Sequence, residues 1–548
     1  MESGFSYQAF FRGSTLMVVV PHEDDEINVA GSVIFGARRE GMHVICVFLT
    51  NGDYEYIPDV RMKEAVRALG VLGVEKQDIL FLGYPDGGAH GECSVFNDRR
   101  NTEEGEPQTR GSEMIPEFYM RKTGHHHAAS WWNLLSDMER VISEYRPSGI
   151  ISVDLDSHPD HRMCSVVCDH ALGHVLRHTK GSYKPVVLKT FAYNLAFEGV
   201  KDFYQKNLLS TEINQDKLLH PGLMDNPQLE WSHRIRLPVP EECRTQDLSQ
   251  NVLFKALTCH MSQKAMRRAE QLINGDQVFW KRRTSNLAFC GTVSVSSGER
   301  KYLCDFCTVG FQDIASRHAA YGDYLWLPKE DDRHPWCRCD FDIPQDISAA
   351  AFWGNLDEES RIIKGRLSFS TGFQMEIGPL REHGRETFTE FPLQKAVFWV
   401  KFEILEQQGY KAGLSEWELL TNRDCGAPVL KICVDGHFAY QWLVSKKRPL
   451  CIDAYNPSER SLLWSVNGKI TKKEYIQNIC QKSSGAITVR VEAVDDPDLW
   501  DEVIFLPASL RRIAEKELLL WKSRMISWWE NQKEKRPHHQ LKQYKIRR

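Results

Sequence analysis

Short apolar runs alternate with helical patterns over the first 190 residues of the chain. The apolar runs are LMVVV (16–20), HVICVFLT (43–50), DILFLGY (78–84) and GIISVDL (149–155). Between them, INVAGSVIFGARRE (27–40) and VRMKEAVRALGVLG (60–73) carry apolar residues at helical spacing. Apolar strands without alternation suit a sheet covered on both faces, and the helices supply the crossovers between parallel strands. The pattern therefore predicts an α/β domain with a Rossmann-like, mostly parallel sheet and flanking helices.

The pattern changes beyond about residue 290 to short strands in which apolar and polar residues alternate. Examples are GRLSFSTGFQMEIG (365–378), AVFWVKFEIL (396–405) and AITVRVEAV (486–494). Such strands are typical of β-sandwiches, and the last forty residues return to helical spacing. We therefore predict an α/β domain followed by two β-sandwich domains and a helix, with the boundaries 12–288, 289–424, 428–506 and 508–548.

Composition narrows the class of protein only slightly. Hydrophobic residues make up 42% of the 548 residues, charged residues 26%, and the net charge is −5. These are ordinary globular values and indicate no nucleic-acid partner. The start of the chain lacks a signal-peptide pattern, and no apolar run has the length of a membrane span. Fifteen scattered cysteines favour free thiols. From these features we expect a cytoplasmic protein.

Four of the predicted strands end in polar clusters. The clusters are HEDDE (22–26), TNGD (50–53), PDG (85–87) and HPDH (158–161). In parallel sheets, ligands bind outside the carboxyl ends of the strands, so these side chains are expected to meet at one edge. His22, Asp25 and His161 would provide two imidazoles and one carboxylate, which suits Zn²⁺ and leaves a position for water. A divalent cation would also neutralise the dense acids that follow the first strand.

Each cluster also has an interpretation without a metal. HEDDE is compatible with a strand that runs into an acidic helix N-terminus, where the helix dipole favours carboxylates. HPDH is compatible with a turn that caps the next helix. Either alone is acceptable, but two such clusters at the strand ends of one α/β domain favour the metal site.

The order and spacing of several motifs resemble one known family. PHEDDE, LTNGD, Arg61 and Glu64 in VRMKEAVRALGV, LGYPDG, HPDH and the later CHMSQ (259–263) together resemble the PIG-L/LmbE-like, zinc-dependent N-acetylglucosaminyl deacetylases. The resemblance covers about residues 12–288. One residue departs from the family pattern, because Glu23 stands where the family usually has proline. An acid at this position is expected to alter the affinity for the metal or the pKa of the catalytic base.

The resemblance implies a role for each residue of the motifs. His22, Asp25 and His161 would bind zinc, and Asp24 would be the general base. His158 would stabilise the oxyanion or protonate the departing amine, with Asp160 orienting it. Arg61 and Asp86 would hold sugar hydroxyls. Amide hydrolysis requires a polarised carbonyl, a base for the attacking water and a group that faces the developing charge, and these residue types provide them.

The function expected on this basis is removal of an N-acetyl group from an N-acetylglucosamine-type sugar or glycoconjugate. Two alternatives stay open: an amidase acting on a sugar-thiol conjugate, and a glycan-binding protein with an inactive deacetylase domain. The second alternative is disfavoured because all the ligand and base positions are present.

The region 289–424 is similar to discoidin-like or galactose-binding jelly rolls, most clearly in EILEQQGYKAGLSEWEL (403–419). Such domains often bind glycans through aromatic side chains, here Trp326, Trp336 and Trp353, although packing within the sandwich explains each tryptophan equally well. Four cysteines could form a zinc site, but their spacing favours ordinary sandwich cysteines instead. They are Cys304, Cys307, Cys337 and Cys339.

The tail from Ser509 is amphipathic and basic. Six apolar residues fall near helical spacing, namely Leu510, Ile513, Leu518, Trp521, Met525 and Trp528. The stripe could contact an anionic membrane surface. It could instead pack on the protein's own domains, which is the interpretation we favour because most amphipathic helices complete their own core.

Overall fold

The protein is represented by a computed structural model. It describes residues 5–86, 108–155, 158–192, 197–198, 203–213, 234–308, 325–355, 359–382, 384–421, 430–535 and 544. Among these residues, no helix combines the length and the apolar content that crossing a bilayer requires.

Ten strands lie in the part of the amino-terminal region that the structure describes. They are β1 (Thr15–Val20), β2 (His43–Thr50), β3 (Ile79–Tyr84), β4 (Gly149–Val153), β5 (Val186–Thr190), β6 (Phe197–Glu198), β7 (Leu208–Leu209), β8 (Glu212–Ile213), β9 (Ile235–Pro238) and β10 (Asp276–Arg282). Seven of them form one sheet in the order β3-β2-β1-β4-β5-β10-β9. Strands β1 to β5 are parallel, whereas β10 is antiparallel to both of its neighbours. The predicted parallel sheet is confirmed. It extends beyond the four predicted strands by β5, which is parallel to β4, and by β10 and β9, which are added through antiparallel pairing.

Helices cover this sheet. They are α1 (Tyr7–Phe10), α2 (Asp25–Arg39), α3 (Pro58–Val71), α4 (Phe118–Thr123), α5 (Trp131–Tyr145), α6 (Pro159–His178), α7 (Glu241–Arg244), α8 (Val252–Leu257) and α9 (Ala269–Leu272). Strand residues from Leu16 to Val20 have no exposed surface, and α2 and α6 contribute long buried faces to the same core. Burial of apolar surface on both faces of the sheet is the main force that holds this domain together.

The second region is a β-sandwich with its own core. Its strands are β11 (Thr292–Val295), β12 (Trp336–Trp353), β13 (Arg361–Phe369), β14 (Gln374–Ile377), β15 (Glu386–Gln408) and β16 (Glu416–Leu420). The long strands β12 and β15 bend through register shifts and also pair with β16 and β13. Trp326 and Trp353 have no exposed surface, so packing within the protein, one of the two interpretations left open for them, explains both side chains. Trp336 is half-buried, beneath the ammonium group of Lys401.

The third region is also rich in strands. They are β17 (Lys431–Val434), β18 (His437–Val444), β19 (Ile452–Tyr455), β20 (Leu462–Val466), β21 (Lys469–Ile470), β22 (Ile487–Ala493) and β23 (Asp496–Pro507), and helix α10 spans Lys473–Lys482. Strands β18 and β23 are parallel, and β7 of the amino-terminal region pairs with β18. The third sheet is therefore continuous with a segment inserted in the first domain.

Buried ion pairs join the third region to the first. The Nζ atom of Lys431 lies 2.8 Å from Asp276 Oδ2, and Arg236 Nη1 lies 3.1 Å from Asp501 Oδ1. Burial would raise the pKa of Asp276, but the cations of Lys431 and Arg236 outweigh it and lower this pKa to about 2. Removing one partner would leave a buried charge without compensation, so the two regions are tightly coupled.

The carboxyl-terminal helix α11 (Leu510–Lys535) lies against the first domain, but not through the stripe that the sequence indicated. Ser523 Oγ donates a hydrogen bond to Gln246 O, and Lys522 forms an ion pair with Asp247. The predicted packing of the apolar stripe on the protein's own domains is wrong for most of its residues, because five of the six side chains are exposed: Leu510, Leu518, Trp521, Met525 and Trp528. The alternative that the sequence did not favour, contact of this stripe with an anionic membrane surface, stays open.

Two leucines of α11 provide a matched test of this packing. Leu520 is 3% exposed and Leu518 is 67% exposed. Leu520→Ala is expected to lower the free energy of unfolding by roughly 2–3 kcal/mol, because it leaves a cavity at the contact. Leu518→Ala should change it by less than about 0.5 kcal/mol. Chemical denaturation of both variants measures the difference, and equal effects would contradict the packing described.

Candidate active site

Loops at the carboxyl edge of the parallel strands bring the polar clusters together. His22 follows β1 by two residues, and Asp86 follows β3 by two residues. Asn51, directly after β2, donates its backbone N–H to Tyr84 O. The side chain of Asp53 accepts a hydrogen bond of 2.9 Å from the backbone N–H of Asp86. The parallel arrangement therefore creates one buried polar site from segments that are far apart in sequence.

Asp25 contacts both of the other residues predicted to bind zinc. Asp25 Oδ2 lies 3.1 Å from His22 Nδ1 and 3.2 Å from His161 Nε2. All three side chains are almost fully buried. His22 lies in the loop before α2, Asp25 is the first residue of α2, and His161 lies in the first turn of α6. The three predicted zinc ligands therefore lie at or just before the amino-terminal ends of two helices, α2 and α6.

Further donors surround the same point. The ligand atoms of His22, His158 and His161 lie within 4.8 Å of one another, and so do those of His22, Asp86 and Asp160. Imidazole and carboxylate donors fit zinc, which takes three protein ligands in catalytic sites. The residues present therefore fit the ion, although more donors are available than one ion requires.

The site carries an excess of negative charge that shifts the pKa of its residues. Burial would lower the pKa of His22, but the carboxylates of Asp86, Asp160 and Asp25 outweigh it and hold this pKa well above the ordinary value. Burial would raise the pKa of Asp25, but the imidazoles of His161 and His22 hold it well below the ordinary value. The positive charge of the histidines thus compensates the negative charge of the carboxylates, as a divalent ion would.

Asp24, the predicted base, occupies a strained backbone conformation. Its φ is 139°, a region that residues with a side chain rarely adopt, and its backbone N–H donates to Glu26 Oε2 at 2.8 Å. Asp24 Oδ1 lies 3.3 Å from Arg61 Nη2, and Asp24 Oδ2 lies 4.0 Å from Arg268 Nη1. Burial, aided by the charge of Asp25, raises the pKa of Asp24 in spite of these two arginines. The carboxylate therefore has the environment of a proton acceptor.

His158 and Asp160 contact each other through one backbone group. The backbone N–H of Asp160 donates to His158 Nδ1 at 3.2 Å, so His158 caps the start of α6. In the neutral ring the proton therefore resides on Nε2. Burial, together with the charges of His22 and His161, lowers the pKa of His158. The carboxylate Oδ2 of Asp160 lies 3.1 Å from His22 Nε2, so the backbone of Asp160 orients His158 while its side chain orients His22.

Arg61 and Asp86, predicted to hold sugar hydroxyls, are part of the same ionic network. Arg61 is only 5% exposed. Its Nη2 donates to the backbone oxygen of Glu23 at 2.9 Å, and its Nη1 lies 3.6 Å from Asp86 Oδ2. Contact of these two side chains with a sugar stays a prediction, and Arg61 has the additional effect of positioning Asp24.

Glu23, the residue that departs from the family pattern, is fully buried beside Arg61. Its Oε2 atom lies 3.5 Å from Arg61 Nε. Burial raises the pKa of Glu23 to about 7. Among the described residues neither carboxylate oxygen accepts a hydrogen bond. Glu23 thus competes with Asp24 for the guanidinium group of Arg61. Ionisation of the buried Glu23 carboxyl group lowers the stability of the folded protein.

Replacement of Glu23 by glutamine is expected to stabilise the metal-free protein in a pH-dependent manner. The folded chain holds the Glu23 proton up to about pH 7, against an ordinary pKa of 4.5. The folded state therefore binds more protons between these values, and stability falls as the pH rises through them. Glu23→Gln removes this loss, so its advantage over wild type should grow by about 3 kcal/mol between acidic and mildly alkaline pH. The measurement is thermal unfolding of both proteins over this pH range in the presence of a chelator. A stability difference that does not change with pH would contradict the prediction.

Two contacts behind the site were not predicted from the sequence. His260 Nε2 lies 2.7 Å from Glu26 Oε1, and Ser262 donates its hydroxyl to Glu64 Oε2 at 2.6 Å. All four residues are buried. The motif CHMSQ indicated this segment through the family resemblance, but its partners lie more than 190 residues away and only the fold identifies them.

An α/β domain whose strand ends gather imidazoles and carboxylates around one buried point has the composition of a metal-dependent hydrolase site. Residues 17–172 match the protein-family model described as PIG-L: GlcNAc-PI de-N-acetylase, and this part of the chain is a PIG-L domain. The resemblance inferred from PHEDDE, LTNGD and HPDH is therefore confirmed for the amino-terminal domain. No protein of curated function matches the chain significantly.

Solved structures resemble separate parts of the chain. N,N'-diacetylchitobiose deacetylase from Pyrococcus horikoshii is 13% identical, and the alignment covers 51% of this chain and 94% of that protein with a TM-score of 0.27. The family 32 carbohydrate-binding module of NanJ from C. perfringens, in complex with galactose, is 15% identical over 24% of this chain and 92% of that module, with a TM-score of 0.19. The lectin domain of Lectinolysin, complexed with Lewis B antigen, is 16% identical over 25% of this chain and 97% of that domain, with a TM-score of 0.20.

Proposed function

We propose that the protein is a zinc-dependent hydrolase that removes the N-acetyl group from an N-acetylglucosamine-type sugar or glycoconjugate. The observation that carries the proposal is the contact of His22, Asp25 and His161 at the carboxyl edge of the sheet, with Asp24 beside them. The PIG-L domain at residues 17–172 supports the class of reaction, because its family is described as acting on an N-acetylglucosamine derivative.

Asp24 is proposed to accept the proton of the attacking water. Zinc held by His22, Asp25 and His161 would supply Lewis-acid polarisation of the acetamide carbonyl and a water of lowered pKa. Arg61 donates a hydrogen bond to Asp24 Oδ1 at 3.3 Å and so orients the carboxylate, and the charge of Arg268 lies 4.0 Å from Asp24 Oδ2. A base whose pKa is raised by burial removes a proton more readily at neutral pH.

His158 is proposed to face the oxygen of the tetrahedral intermediate. Because Nδ1 accepts the backbone N–H of Asp160, the proton of the neutral ring resides on Nε2, which can act only as a donor. Its lowered pKa keeps the ring neutral near pH 7, and a neutral imidazole donates a hydrogen bond to a developing oxyanion. Of the two roles that the family resemblance implies for His158, this geometry favours oxyanion stabilisation over protonation of the amine.

The test is acetate release from a panel of N-acetylated compounds: free N-acetylglucosamine, N,N'-diacetylchitobiose, N-acetylglucosaminyl phosphatidylinositol and an N-acylated sugar-thiol conjugate. Release from one of the first three, and its loss in Asp24→Asn, would support the proposal. Cleavage of the sugar-thiol conjugate alone would favour the amidase. Binding of these compounds without any release would show a glycan-binding protein with an inactive deacetylase domain.

A further inference from the structure

A second group of potential metal ligands lies outside the active site, where helix α6 meets the segment that leads into the second domain. His170, Asp305 and Cys307 are all buried, and their ligand atoms lie within 4.8 Å of one another. His170 Nδ1 lies 3.5 Å from Asp305 Oδ2. His170 is nine residues beyond His161 on the same helix, which separates the two sites by about 13 Å along its axis. This group is therefore distinct from the predicted catalytic site.

The segment carrying Asp305 and Cys307 is held in place from three sides. Arg282 of β10 donates to Phe306 O at 2.8 Å, and Glu416 of β16 accepts the backbone N–H groups of Asp305 and Phe306 at 3.0 and 2.9 Å. On α6, Gly173 lies so close that an added Cβ would meet Asp305 O at 1.9 Å. The segment that carries Asp305 and Cys307 can approach His170 only because residue 173 of α6 is a glycine.

The backbone between the two ligand residues is strained. Phe306 has a φ of 73°, a left-handed conformation that a bulky aromatic residue rarely adopts. Its position between Asp305 and Cys307 fixes the directions in which the carboxylate and the thiol point. Strain of this kind persists where surrounding contacts enforce it, and it is concentrated at binding and catalytic sites.

We propose that His170, Asp305 and Cys307 bind a second divalent metal ion that fastens the second domain to helix α6. One imidazole, one carboxylate and one thiolate suit zinc better than magnesium or calcium, which prefer oxygen ligands alone. Ligand atoms around tetrahedral zinc are roughly 3.2–3.8 Å apart, so the 3.5 Å separation of the imidazole and carboxylate atoms already fits. The four-thiolate site considered from the sequence is replaced by this mixed site, because Cys304 instead donates its thiol to Trp417 O.

Cobalt substitution separates the two sites, because only the proposed one contains a thiolate. The full-length protein would be produced in medium supplemented with Co²⁺ and examined by metal analysis and near-ultraviolet absorption. We expect close to two ions per chain and a thiolate-to-cobalt charge-transfer band. The band should persist in the double variant His22→Ala/His161→Ala, which retains about half of the metal, and it should disappear in Cys307→Ser.

Cys304→Ser is the matched control, since Cys304 is also buried and lies three residues away in the same segment. It should keep the band. If Cys307→Ser does not fold, the spectra of wild type and of the double variant still show whether a thiolate binds cobalt outside the active site. Absence of the band from cobalt-loaded wild type, or its persistence in folded Cys307→Ser, would overturn the proposal. Neither result depends on deacetylase activity, so the proposed function can fail independently.

Discussion

Asp24→Asn is expected to lower turnover by roughly 10²–10⁴ while the catalytic-site metal stays bound. Asparagine has nearly the same shape as aspartate, so the change should add no strain to the backbone at φ 139°. What is lost is the carboxylate that accepts the proton of water. Steady-state kinetics on the best substrate of the panel, together with metal analysis of the same sample, measures both effects.

Asp25→Asn is the matched control for this prediction. The same chemical change at the next residue removes a proposed ligand that contacts both His22 and His161. This variant should lose metal as well as activity, because the carboxamide is a weaker ligand than the carboxylate. If both variants lost the same amount of metal, the separate roles assigned to Asp24 and Asp25 would be wrong.

His161→Ala should remove the catalytic-site ion and reduce activity to the background level. His161 is fully buried and is the ligand that joins helix α6 to the cluster around Asp25. Its loss leaves two of the three proposed ligands, and we expect that the nearby donors His158, Asp86 and Asp160 do not replace it, so zinc should be lost to a chelator. The measurement is metal content after dialysis against a chelator, compared with wild type treated in the same way. A full complement of metal in His161→Ala would contradict the ligand assignment.

His158→Ala distinguishes the two sets of donors that the geometry allows. His158 can also reach an ion shared with His22 and His161. If His158 faces the oxyanion, the variant should keep its metal and lose roughly 10²–10³ in turnover. Loss of the metal instead would place His158 in the ligand set and Asp25 outside it.

Much of the first domain could be predicted from local pattern. Apolar runs such as HVICVFLT coincide with strands because a strand buried on both faces needs an apolar side chain at every position. The active-site residues could be selected for a similar reason, since acids and histidines at strand ends have few structural explanations. Three strands of this sheet, β5, β9 and β10, are not among the predicted runs, and β9 and β10 join the edge of the sheet from distant segments.

Other features depend on contacts that no local pattern contains. The stripe from Leu510 to Trp528 shows helical spacing, yet the face that packs is the one that carries Leu520 and Ser523. The contacts on that face include polar ones, so hydrophobic periodicity alone cannot identify it. In the same way, Cys307 was grouped with other cysteines by sequence proximity, whereas the fold places it beside His170 and Asp305.

The third region and helix α11 both contact the first domain, so the chain can finish folding only after these late segments have left the ribosome. Leu248 and its hydrogen-bond partner Ser523 are separated by 275 residues, a distance that translation covers in roughly 14–55 s. Asp276 likewise can pair with the ammonium group of Lys431 only after the 155 residues that follow Asp276 have been made. For that interval the newly made first domain lacks the strand that pairs with β7 and the helix α11 that later contacts it. Chaperone binding to nascent chains should therefore persist until synthesis is complete, and early release would favour aggregation over folding.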